Sequence, residues 1–128
     1  KVDNQHIDLA IIEIESQDHF LGNGLILGNS DALKRLDEIA VLGYPNYNFG
    51  DSGFFSIGVI NAFRAIGGVN HILVSNTLVE GNSGGPAFNN QGEVIGVVVT
   101  GSSTFETASK TEKHGLIPIN VLHLLLTK

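Results

Sequence analysis

The residues best suited to do chemistry in this chain lie in the run Gly81-Asn82-Ser83-Gly84-Gly85-Pro86. One hydroxyl sits among glycines, with Ser83 at the centre of a Gly-x-Ser-x-Gly pattern. A serine hydroxyl is a weak nucleophile alone. It needs a base to take its proton and donors to stabilise the charge that its attack creates. Glycines on both sides let the main chain bend so that neighbouring N–H groups converge where an oxyanion would form, each important contact contributing ~3–4 kcal/mol. The pattern therefore suits attack on a carbonyl. The same short pattern also occurs at strand-to-helix elbows, which need a helix right after the serine. Gly84-Gly85-Pro86, then Ala87-Phe88 and a turn, offers no helix, so the elbow is set aside. An ordinary glycine turn is the plain alternative for the short pattern.

A second polar group lies near the start, where Asp8 follows His6 by two residues. A carboxylate beside an imidazole can orient it for proton transfer. On one strand, however, these two side chains leave the same face with Cα atoms ~6–7 Å apart, which does not carry the imidazole to Ser83. Asp3, His6 and Asp8 can be drawn as a metal set, but crowding of polar residues explains them better, and no metal or cofactor is expected. His19, His71 and His123 read as loop, strand and helix-face residues, and His114 as a pocket or surface residue.

The elements that must position these groups are strands. Residues 6–15 (HIDLAIIEIE) alternate, with Ala10, Ile12 and Ile14 on one face. Residues 38–45, 54–63, 71–79, 92–99 and 114–119 are apolar, β-branched or aromatic runs separated by glycine-, asparagine- and serine-rich turns. A short helical turn fits residues 30–36. The one convincing helix follows Pro118 and Asn120 in a leucine-rich end. Sixteen glycines and regularly spaced short strands point to an all-β sandwich or barrel.

Composition narrows the function classes. With 128 residues, 42% hydrophobic and 16% charged, the chain fits one folded domain with a modest core. A net charge of −6, with Lys34-Arg35 the only adjacent basic pair, argues against nucleic-acid and membrane partners. No apolar run approaches the ~20 residues of a membrane helix. The lack of cysteine removes disulfides, a thiol nucleophile and thiolate metal sites. There is no methionine either, so the chain is expected to be a piece of a longer protein. Its compartment is left open.

Over a longer span the serine segment becomes specific. Residues 81–99, GNSGGPAFNNQGEVIGVVV, resemble the nucleophile segment of chymotrypsin-fold serine peptidases, the HtrA type above all. HIDLAIIEI resembles that family's Asp-(Ile/Leu)-Ala strand, and HGLIPINVL its last strand and helix. The resemblance implies a chymotrypsin-like six-stranded Greek-key barrel, the second of two, preceded by the last strand of the first and followed by a short C-terminal helix. On this reading residues 1–20 belong to the first barrel and 21–128 to the second. It also implies a serine endopeptidase acting through an acyl-enzyme. Ser83 would be the nucleophile, Asp8 the orienting carboxylate, and Gly81, Asn82 and Ser83 the oxyanion hole. The neutral Asn82 stands where secreted digestive relatives have an aspartate that pairs with a freed N-terminus, so activation by N-terminal clipping is not expected.

The family's catalytic histidine belongs to the first barrel, well ahead of the aspartate, and only seven residues precede Asp8. The base is therefore expected upstream in the parent protein, and this chain alone is expected to be inactive or nearly so. Loss of the histidine would instead leave a degenerate barrel that binds peptides without cutting them. By the same resemblance, Thr77, Leu78, Val79, Glu80, Val98, Val99, Thr100 and Leu116 surround an apolar pocket suited to a small or medium aliphatic residue. The polypeptide substrate would pair as an added strand along Val97–Thr100. The other expected partners are the missing first barrel and further copies of the protein in a homo-oligomer.

Overall fold

The computed structural model describes residues 8–15, 23–66, 68–99 and 115–126. Six strands form a closed antiparallel barrel: β1 (Glu38–Gly43), β2 (Phe54–Ile66), β3 (Val69–Val74), β4 (Pro86–Phe88), β5 (Val94–Val98) and β6 (Leu116–Pro118). Around the ring the order is β1-β2-β3-β6-β5-β4, and β4 closes it against β1 through Ala40 opposite Phe88 and Val41 opposite Ala87. A short helix, α1 (Leu122–Leu126), ends the described chain. The all-β barrel with a terminal helix is the architecture the sequence implied.

Alternation builds the interior. In β1 the inward residues Ile39 and Val41 are buried while Glu38 is exposed. Ile60, Ile72, Val74, Ala87 and Ile95 join them from the other strands. The long β2 serves two neighbours, pairing with β1 up to Val59 and with β3 from Ile60 onward. A register shift between Ile60 and Ala62 lets it bend from one to the other, as closing a sheet requires.

The outer layer is pinned by side-chain amides. Ser30 N–H donates to Asn120 Oδ1 (3.2 Å), Asn120 N–H donates to Ser30 Oγ (3.0 Å), and Asn120 Nδ2 donates to Asn29 Oδ1 (2.8 Å). These bonds tie the 3-10 turn Ser30–Ala32 to the turn Ile119–Val121 that leads into α1. The helical turn expected over 30–36 is thus only three residues long.

Two segments differ from their expected form. The strand read over 71–79 stops at Val74, because Ser75 and Asn76 turn away to anchor on β2 and β1. Residues 8–15, read as the end of a first barrel, have no sheet partner among the described residues, and Ile11, Ile12 and Ile14 are exposed. A strand persists only where a neighbour takes up its backbone groups, and the closed barrel offers no edge for it.

Ile95 is wholly buried in the core, whereas Leu25 is 61% exposed. Ile95→Ala is expected to cost ~2–5 kcal/mol in urea unfolding, and Leu25→Ala within ~0.5 kcal/mol of zero.

Candidate active site

Ser83 sits in the connection from β3 to β4, and that connection is fixed at its foot before it reaches the serine. Ser75 N–H donates to Val59 O (2.9 Å), and Ser75 Oγ accepts from Val59 N–H (2.9 Å). Asn76 is 3% exposed, and its Nδ2 donates to Ser56 O (2.7 Å) on β2 and Ile39 O (3.2 Å) on β1. Two carbonyl acceptors dictate which end of the carboxamide points that way. Its Oδ1 is left buried without a partner. Gly58 makes room for this anchor, since a Cβ there would run into Asn76 Oδ1 and lie 2.6 Å from Ser75 Oγ.

The chain then makes a turn over Val79–Asn82. Asn82 N–H donates to Val79 O (3.0 Å), and Gly81, the third residue, has φ +99°. A positive φ at the third position of a hydrogen-bonded turn is the type II form, which favours glycine. A Cβ on Gly81 would also run into the Tyr44 carbonyl. On the far side of the serine, Gly84 N–H donates to Val98 O (2.6 Å), Gly85 N–H to Asn82 O (2.9 Å), and Val98 N–H to Gly85 O (3.0 Å). Ser83 is exposed. Among the described residues, neither Gly81 N–H nor Ser83 N–H has an acceptor. Two unspent donors two residues apart, beside an open hydroxyl, can receive an oxygen that gains negative charge.

Asn82 must be separated from that pair. Its N–H is committed to Val79, and its buried side chain reaches toward Thr77 O (Nδ2, 3.5 Å) with Oδ1 over Gly43. It braces the turn, and its main-chain N–H is not open to a substrate oxygen.

The expected pocket residues divide by burial. Leu78, Val79, Val98 and Leu116 are at most 1% exposed, and all but Val79 belong to the core cluster. Their bulk fills the barrel and leaves no surface of theirs open to a substrate. Thr77 and Glu80 are exposed, Val99 is half-buried, and Thr100 lies outside the described residues. The strand-adding edge expected along Val97–Thr100 is also shortened. Val97 and Val98 are already paired with β6, and Val97 with β4 as well, so a peptide can pair only beyond Val98.

Asp8 is exposed, and no hydrogen bond or ion pair joins it to Ser83 or to another described residue. His71 is buried on β3 with Nδ1 3.2 Å from Val69 O, and β3 stands opposite β4 in the ring. His123 is exposed on α1. Asp3, His6, His19 and His114 lie outside the described residues. Among the described residues no three acidic or histidine side chains gather as a metal site.

Residues 1–97 match the family model of the trypsin-like peptidase domain. The chain belongs to that family. Among curated proteins it is 34% identical to "Protease Do-like 2, chloroplastic" of Arabidopsis thaliana, over 94% of this chain and 20% of the relative. It is 37% identical to a probable periplasmic serine endoprotease DegP-like of Chlamydia pneumoniae, over 77% of this chain and 20% of the relative. The chain thus spans about a fifth of these relatives. Among solved structures, an HtrA-type protease AlgW variant with a decapeptide has a TM-score of 0.63 at 23% identity, covering 80% of this chain and 31% of its own. Deg5 has a TM-score of 0.60 at 25% identity, covering 80% of this chain and 46% of its own. The trypsin-like barrel of the HtrA type is therefore the fold of this chain.

The foot of the serine connection can be tested directly. Gly58→Ala is expected to destabilise by ~1–3 kcal/mol, and by clearly less in an Asn76→Ala background, where one oxygen it strikes is gone. Urea unfolding of the four proteins of this cycle reads the coupling; equal costs in both backgrounds would contradict the contact.

Proposed function

We propose that the protein is a serine endopeptidase of the HtrA type. The observation that carries this is the type II turn at Val79–Asn82, which leaves the Gly81 and Ser83 N–H groups without acceptors among the described residues, beside an exposed serine. Ser83 Oγ attacks the scissile carbonyl while its proton passes to a histidine. The two N–H groups hold the oxyanion, the amine leaves with that proton, and water then releases the acyl group. Asp8 orients the histidine. The base comes from the portion of the protein that forms the first barrel, so residues 1–128 alone are inactive or nearly so. The names of the relatives, serine endoproteases among them, support the same reaction class.

The substrate is a polypeptide, extended and paired with the chain beyond Val98. The bound decapeptide of the AlgW variant supports this class of ligand. A small or medium aliphatic residue before the cleaved bond is the preference the family resemblance implies, with half-buried Val99 the apolar side chain at that end of β5. Asn82 is neutral and already bonded within its own turn, so no freed N-terminus is needed to assemble the site.

A fluorophosphonate probe is expected to label the full-length protein at Ser83, with labelling and casein cleavage both lost in Ser83→Ala. Gly81→Ala, which cannot keep φ +99° without strain, is expected to slow labelling by roughly 10²–10³-fold. A full-length protein that binds peptides but never labels would be a non-cutting barrel, and the proposal would be wrong.

A further inference from the structure

The turn between β1 and β2 borders an open cavity of about 210 Å³, lined by Tyr44, Pro45, Tyr47, Phe54 and residues 51–53. Its three aromatic rings stay half open to solvent, between 50% and 52% exposed. Tyr44 and Tyr47 meet edge to face, with centroids 5.6 Å apart and planes at 77°. The turn holds itself in this shape. Asp51 Oδ2 accepts from Asn48 N–H (2.9 Å), Asp51 N–H donates to Asn48 O (2.9 Å), and Tyr47 Oη accepts from Gly50 N–H (3.3 Å).

Among the described residues the wall carries one carboxylate, Asp51, and no lysine, arginine or histidine. Ring faces are the negative side of an aromatic quadrupole, and a carboxylate adds a full negative charge. Together they favour a cation over a neutral side chain of equal size. The chain's net charge of −6 acts in the same sense at longer range.

Topology places this corner beside the serine. Tyr44 N–H donates to Gly81 O (3.0 Å), so the cavity begins at the residue bonded to the serine turn. The serine connection runs into β4, which lies between β1 and β5 in the ring. One flank of the serine is therefore β5, reached through Gly84 N–H to Val98 O, and the other is the β1–β2 turn. On the endopeptidase reading, a peptide paired beyond Val98 on the first flank would cross Ser83 and leave over the second.

We infer that the Tyr44–Tyr47–Asp51 corner binds a lysine or arginine side chain of the polypeptide substrate, on the leaving-group side of the scissile bond. This rests on the endopeptidase reading for its direction, though not for the recognition of the cation itself. The amine side of the substrate is then chosen by charge.

The test uses full-length protein carrying Ser83→Ala, so that binding is read without turnover. Fluorescent peptides differ only in arginine, lysine or norleucine at the first three positions beyond the cleaved bond, and affinity is read by anisotropy. Arginine and lysine peptides are expected to bind about tenfold more tightly than the norleucine peptide, with the advantage shrinking as salt is raised. Asp51→Asn keeps an oxygen for Asn48 N–H and removes only the charge. It is expected to erase most of the advantage while leaving the norleucine peptide unchanged. Tyr47→Ala is expected to erase it too. Equal affinities for arginine and norleucine, or an advantage that survives Asp51→Asn, would overturn the inference. Fluorophosphonate labelling of the unmutated protein separates the two ideas. Cation selectivity without labelling removes the peptidase and keeps the corner, whereas labelling without selectivity does the reverse.

Discussion

The serine connection rests main chain against main chain on the end of β1, and the geometry of the site follows from that contact. A Cβ on Gly85 would strike the Leu42 carbonyl, one on Gly81 the Tyr44 carbonyl, and one on Gly43 the Asn82 side chain. The Tyr44 N–H to Gly81 O bond locks the approach. With no side chain between them, the two segments sit at hydrogen-bond distance, and the turn at Val79–Asn82 takes its orientation from β1. β1 is in turn held on both sides, by β2 and β4. The direction of the Gly81 and Ser83 N–H groups is thus tied to closure of the barrel.

The foot of the same connection is set by buried polar groups. Asn76 joins carbonyls of β1 and β2, while Asn82 braces the turn from within. Leaving Asn76 Oδ1 unpaired costs about 1–3 kcal/mol, offset by two bonds that satisfy strand carbonyls at the point where β3 stops. Apolar residues between these two asparagines, Leu78 and Val79, are fully buried. The loop is therefore anchored at short intervals, and the exposed stretch around Ser83 is brief.

Closure also gives the two flanks of the serine different characters. On the β5 side the barrel has no spare edge until Val98, and what lies below is aliphatic. On the β1 side the turn is aromatic and carries a carboxylate. The two flanks of the serine are thus aliphatic on one side and aromatic and acidic on the other.

Much of this was legible in the sequence because it is short-range. Five of the six barrel strands could be read as apolar, β-branched or aromatic runs, whereas β4, only three residues long, leaves too little pattern to read. The glycine pattern around Ser83 follows from local sterics, since a positive φ and a close main-chain approach each exclude most side chains. What only the tertiary structure decided depends on residues far apart in the chain. Asn82 could not be known to spend its N–H on Val79, nor Leu78, Val98 and Leu116 to sink into the core, before the barrel closed around them. The β1–β2 turn read as a plain turn because its tyrosines and Asp51 acquire a shared cavity only when the strands they join are paired. Sequence fixes what a residue can do within a few neighbours; packing decides which of its groups remain free to do it.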